Sequence, residues 1–282
     1  MNCREEPIRF ACAQEILFGI LTYPEEASEL GVVIVVGGPQ TRVGSHRQFV
    51  LLARRLAAAG YPTWRFDYRG MGDSTGDQRS FEAIVPDIAA AVDGLQAACP
   101  SVKRIVLWGL CDAASAALLY CDVAQDARIS GLCLLNPWVR SEATLAKTQV
   151  KHYYGQRLLQ KEFWIKLVSG RLDILGALGE LLRKLGQARA KPQSATPTPG
   201  FQERMAHGWR NFPGRILLIL SGDDYTAKEF LEYAGAHPAW EGLLESPGCL
   251  RVDLTAADHT FSTNEWRKTV ENACLDWLNS HA

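Results

Sequence analysis

No apolar run in this chain approaches the roughly 20 residues that a membrane-crossing helix needs, so no membrane span is expected. Surplus charge is missing as well. Thirty Lys and Arg stand against 31 Asp and Glu, a net charge of −1, which removes any global argument for a nucleic-acid partner. The opening residues, Met1-Asn2-Cys3-Arg4-Glu5-Glu6-Pro7, lack the basic and then apolar regions of a secretory signal. Eight cysteines are scattered at 3, 12, 99, 111, 121, 133, 249 and 274, with no CxxC pair and no zinc-ligand spacing. Several stand in apolar contexts, which fits reduced thiols in a cytoplasmic protein better than a disulfide framework. No motif asks for a metal or a cofactor, and none is expected. What remains is a globular composition, 47% hydrophobic and 22% charged over 282 residues. That is enough for a sizeable core in one domain, or in one domain with an insertion.

Apolar runs and turn signals divide the chain. Residues 8–12 and 16–23 read as two short strands, a hairpin at a sheet edge. Then strands over 31–36, 62–68, 105–108 and 129–136 alternate with helices over 49–59 and 81–98 and with an Ala-rich helix after residue 111. Alternation of this kind indicates a parallel sheet with helices on both faces, an α/β fold. Between Asn136 and Arg215 no strand signal appears. Helix-like stretches fall at 144–154, 162–169 and 174–190, followed by a loop-forming Pro/Ser/Thr run over 191–200. Strand and helix alternate again from Ile216. The expected organisation is therefore a core formed by 1–136 and 214–282, with 137–213 inserted as a helical lid. Residues 140–191 carry eleven Lys or Arg against four Asp or Glu, a local +7. This is either a solvated helix surface or an entrance favouring an anionic substrate or carrier.

One stretch carries chemistry. The buried strand Ile105–Trp108 leads into Gly109-Leu110-Cys111-Asp112-Ala113 and then directly into a helix. Small residues two before and two after Cys111 are what a strand–nucleophile–helix elbow needs, because strand and helix must pass closely around a strained residue. The bland alternative is a core cysteine at a strand end. Asp112 as nucleophile would put Leu110 where a small residue is required, so that register fails. A Cys nucleophile needs a base, and the base needs an orienting acid. In elbow architectures these follow the nucleophile in the order acid, base. The strand Ile216–Leu220 ends in Ser221-Gly222-Asp223-Asp224, and His259 follows the last strand. The other five histidines (46, 152, 207, 237 and 281) lack comparable placement. Asp224 is preferred as the acid, with Asp223 as the alternative, and Asp258 is expected to be structural. For the oxyanion, the backbone N–H groups of Asp112 and Gly38 are the candidate donors, Gln40 following after Gly38 because Pro39 has none. The Gly-rich turn Asp67-Tyr68-Arg69-Gly70-Met71-Gly72-Asp73-Ser74 lacks the spacing and lysine of a phosphate loop and reads as a turn lining the site.

Taken together, Gly109–Ala113, Asp67–Ser74, Ser221–Asp224 and Asp258-His259 resemble the α/β-hydrolase superfamily over nearly the whole chain. More narrowly, Gly37-Gly38-Pro39-Gln40-Thr41-Arg42-Val43-Gly44-Ser45-His46-Arg47-Gln48-Phe49 and the stretch from Gly109 to Ala116 resemble the exosortase A system-associated hydrolases of type 1, bacterial proteins encoded beside exopolysaccharide genes. The resemblance implies an α/β-hydrolase fold, hydrolase activity, a Cys111–His259–Asp224 triad and a cytoplasmic location. It supplies no substrate. Cys in place of the superfamily's usual Ser points to an ester or thioester hydrolase with a covalent acyl-cysteine intermediate. An acyltransferase to a sugar or other hydroxyl, and a non-catalytic binding protein on the same fold, are the alternatives. The expected partner is a small acyl substrate, free or on an anionic carrier.

Overall fold

The computed structural model describes residues 3–140 and 199–280. Of these, residues 3–139 and 199–280 form one compact unit built on an eight-stranded sheet in the order β1-β2-β4-β3-β5-β6-β7-β8. The strands are β1 (Arg4–Cys12), β2 (Glu15–Tyr23), β3 (Leu30–Val35), β4 (Thr63–Asp67), β5 (Arg104–Leu110), β6 (Ile129–Leu135), β7 (Arg215–Ser221) and β8 (Cys249–Leu254). β1 and β2 form the expected hairpin at one edge, antiparallel to each other and to β4, and every pairing from β4 to β8 is parallel. This is the mostly parallel sheet that the alternating sequence predicts. It is also why β3, buried at all six positions, reads as a continuous apolar run.

Two cores cover the two faces. Val32 and Ile34 of β3 join Trp108 of β5, Phe49, Leu52 and Leu56 of helix α1 (Gln48–Ala57), and Cys274 and Trp277 of helix α6 (Asn264–Asn279). Val33 and Val35 face the other way. They join Ile88 and Val92 of α2 (Val85–Ala98), Ala114 and Leu118 of α3 (Asp112–Ala124), Trp209 of α4 (Phe201–Asn211) and Phe230 of α5 (Tyr225–Ala236). The period-2 alternation of one strand thus feeds both faces.

Two boundaries differ from the sequence reading. The helix expected over 81–98 is a single 3-10 turn, Phe81–Ala83, followed by α2. Pro86 explains the break, since a residue without an N–H fits only the first turn of a helix. The second difference is α4, which the sequence reading merged into the insertion. Its buried Gln202, Met205, Ala206 and Trp209 recur at helical spacing on one face. That face belongs to the sheet-bearing core: Gln202 Nε2 donates to the Val139 carbonyl at 3.1 Å, and Trp209 meets Trp240 edge-on with ring centroids 5.8 Å apart. On its other side, Arg204 Nε donates to Asp122 of α3 at 3.1 Å. The expected lid helices over 144–154, 162–169 and 174–190 lie outside the described residues.

Candidate active site

β5 enters the elbow through Gly109, where a Cβ would lie 2.6 Å from the Ala113 carbonyl carbon. Strand and helix therefore pass at a distance that only glycine permits. Cys111 sits between them at φ 64°, ψ −126°, a left-handed conformation unfavourable for a non-glycine residue. Its N–H donates to the Leu135 carbonyl at 2.8 Å, and its carbonyl accepts from Ala114 N–H at 3.1 Å. Backbone bonds from the neighbouring strand and from the first turn of α3 thus fix the strained residue on both sides. The thiol is partly exposed, unlike the buried thiols of Cys12, Cys99, Cys121, Cys133 and Cys274, and all eight cysteines are free.

The histidine and its acid come from later strand ends. His259 Nδ1 lies 2.7 Å from Asp224 Oδ2. Asp224 also caps α5, accepting from Thr226 N–H at 2.9 Å and Ala227 N–H at 3.3 Å. Burial pushes its carboxyl up, but the His259 contact and the two cap donors outweigh it and leave the group below its usual range. Asp224 is the carboxylate placed against the imidazole; Asp223 is exposed, and its N–H donates to the Ala257 carbonyl. The hydrogen bond with Asp224 raises His259 most, the contact with the Cys111 thiol raises it further, and burial only partly opposes them, leaving the imidazole near a pKa of about 10. Asp258 does what a loop aspartate does. Its carboxylate accepts from the N–H groups of Thr260 and Ser262 and from the Ser262 hydroxyl.

Two positioning residues escaped the sequence reading. Asn136 at the end of β6 is fully buried. Its Nδ2 donates to Ser221 Oγ at 2.7 Å and to the His259 carbonyl at 3.1 Å, and its Oδ1 accepts the Ser221 N–H at 2.8 Å. Ser221 Oγ in turn donates to the Asp258 carbonyl at 2.9 Å. The ends of β6 and β7 therefore hold the histidine loop by its backbone, a task that the sequence marks only by two polar residues closing apolar strands.

One of the two expected oxyanion donors is engaged. Gly38 N–H donates to Asp112 Oδ2 at 2.9 Å, so the side chain of the residue after the nucleophile occupies the place between the β3 loop and α3. The Gly-rich turn is tied to that same loop: Arg42 N–H donates to Asp67 Oδ1 at 2.6 Å, and the Arg42 guanidinium bridges Asp67 and Asp73. The turn's own Arg69 grips the buried Asp87 of α2 with Nε at 2.9 Å and Nη2 at 2.7 Å. Among the described residues, no three His, Cys, Asp or Glu side chains come together as metal ligands would.

A sequence profile described as the Alpha/beta hydrolase family matches residues 32–271. No curated protein sequence matches the chain at a significant level. Among solved structures, an esterase from Pyrococcus furiosus superposes with a TM-score of 0.66 at 14% identity, covering 99% of this chain and 91% of its own. An alpha-beta serine hydrolase homologue from Coxiella burnetii gives a TM-score of 0.59 at 16% identity, covering 95% and 96%. A serine hydrolase without lid from Xanthomonas campestris gives 0.57 at 12% identity, covering 98% and 96%. At these identities the likeness is one of fold.

Proposed function

The chain belongs to the alpha/beta hydrolase family, and from that premise we propose that it cleaves an ester or thioester with Cys111 as nucleophile, His259 as base and Asp224 as orienting acid. The observation that carries this reading is the junction of a strained, partly exposed Cys111 with a histidine paired to a buried carboxylate. The thiol proton passes to His259, and the sulfur attacks the acyl carbonyl carbon to form a tetrahedral oxyanion. Collapse breaks the bond to the leaving oxygen or sulfur, which takes the proton from His259, and a thioester to Cys111 remains. His259 then takes a proton from water, the hydroxide attacks the thioester, and Cys111 leaves as the free acid is released. Asp224 keeps the Nδ1 side of the ring paired, so that the other nitrogen faces the thiol.

Two of the solved neighbours are named as serine hydrolases; this chain carries Cys at the elbow. A thiolate suits acyl exchange through a thioester, which favours thioesters and activated esters over simple lipids. The +7 charge of residues 140–191 supports an anionic acyl carrier as the donor and, with it, the second reading of transfer to a sugar hydroxyl. The resemblance to exosortase-associated hydrolases supports a sugar acceptor linked to exopolysaccharide metabolism and a cytoplasmic location. Cys111→Ala is expected to abolish turnover of activated acyl esters, and intact-mass analysis of wild type should find one acyl group on Cys111. Full activity in the Ala variant would refute the assignment. Faster discharge of the acyl-enzyme by a polysaccharide acceptor than by water would decide for transfer.

A further inference from the structure

The side chain of Asp112 reaches across to the loop after β3. Its Oδ2 accepts the Gly38 N–H at 2.9 Å, the donor expected to stabilise the oxyanion. Its Oδ1 is buried and has no hydrogen-bond partner among the described residues. The position is prepared for a carboxyl group. A Cβ on Gly37 would sit 2.2 Å from that Oδ1, so the first glycine of the Gly37-Gly38 pair clears the space that the carboxyl fills. We propose that the Asp112 carboxyl group is the resting occupant of the oxyanion cradle, which an acyl substrate must displace before Cys111 can be acylated. This rests on the reading of Cys111 as nucleophile.

A carboxylate resembles the oxyanion it replaces, presenting a negatively charged oxygen to a backbone N–H donor next to a helix N-terminus. It differs in being tethered one residue from the nucleophile. While it holds the Gly38 N–H, a substrate carbonyl has no donor on that side, and the tetrahedral intermediate forms without its main stabilisation. The occupant is also removable. Burial raises the Asp112 carboxyl above its usual range, and the N–H groups of Gly38, Ala113 and Asp112 itself, with the charge of His259, only partly oppose this. The ionised group therefore regains hydration when it swings out. The consequence is specificity. A substrate that binds elsewhere, through a long acyl chain or a carrier, can displace the carboxylate with that binding energy; a small activated ester has none to spend.

The test compares acylation with alkylation. Iodoacetamide attacks the thiol by displacement and needs no oxyanion donor, whereas p-nitrophenyl acetate does. In Asp112→Ala the backbone N–H remains and the occupant is gone, so the rate of acetyl-Cys111 formation by intact mass is expected to rise on the order of tenfold or more. Iodoacetamide labelling of Cys111 should stay within about twofold of wild type, consistent with its independence from oxyanion donors. Asp112→Asn, whose amide oxygen still accepts from Gly38 N–H, should give a smaller rise. An acetylation rate in Asp112→Ala equal to or below that of wild type, with alkylation and thermal midpoint unchanged, would overturn the proposal. A lower acetylation rate together with lost alkylation and a lower midpoint marks a folding defect in Ala, and the Asn variant then decides by the same ratio. Alkylation without any acetyl adduct in all three proteins would instead overturn the acyl chemistry of Cys111.

Discussion

His259 is raised to about 10 by Asp224 and Cys111, against an ordinary histidine value of about 6.5. A group whose pKa is raised on folding binds its proton more tightly in the folded state. Its contribution to stability is therefore complete below about pH 6.5 and is lost as the pH rises through about 10. Urea midpoints measured from pH 6 to pH 10 should accordingly fall more in wild type than in Asp224→Asn. That variant still caps α5, because Asn is as good a cap as Asp, but removes the charge that raises the imidazole. Parallel pH profiles for the two proteins would show that the pair contributes nothing to folding. The residue scale is also where the sequence was most and least informative. Cys111, Asp224 and His259 stand out because each follows the end of a strand, in the expected order. The hydrogen bond from Gly38 to the Asp112 side chain left no trace, because neither residue type nor spacing says which rotamer a carboxylate adopts.

Elements were legible where their faces were simple. The inner strands β3 and β5 carry unbroken apolar runs, and α1 buries one stripe of Phe49, Leu52, Ala53 and Leu56. α4 was not, because seven of its eleven residues are polar or glycine and its anchoring depends on one large residue. Trp209 is 3% exposed and packs against Trp240, whose indole N–H donates to the Gln202 carbonyl at 3.2 Å on the same helix. Trp209→Ala should cost about 3–5 kcal/mol, the usual range for emptying such a site. Hydrogen exchange should locate the loss first in 201–211. A cost below about 1 kcal/mol would mean that α4 is not held by this contact and collapses readily around the gap.

At the scale of the whole molecule, three separate strand ends supply one site. The proposed nucleophile comes from β5, the proposed acid from the end of β7 and the histidine from the loop after β8, while Asn136, just past β6, ties the end of β7 to the histidine loop. No residue of the triad touches another through its own element. Sequence order alone could suggest this convergence because a parallel sheet puts all its carboxyl ends on one side. It could not reveal Asn136, whose role exists only once β6 and β7 are neighbours.

That convergence also sets a schedule. His259 follows Cys111 by 148 residues (259 − 111), so a chain growing on the ribosome, or refolding from denaturant, holds the elbow long before its base. Until β8 pairs with β7 and α6 covers the sheet, Cys111 has no imidazole beside it. Brief pulses of iodoacetamide at pH 6 during refolding should modify Cys111 rapidly only in the last cooperative phase. Rapid modification ahead of tertiary structure would show that the elbow alone arms the sulfur.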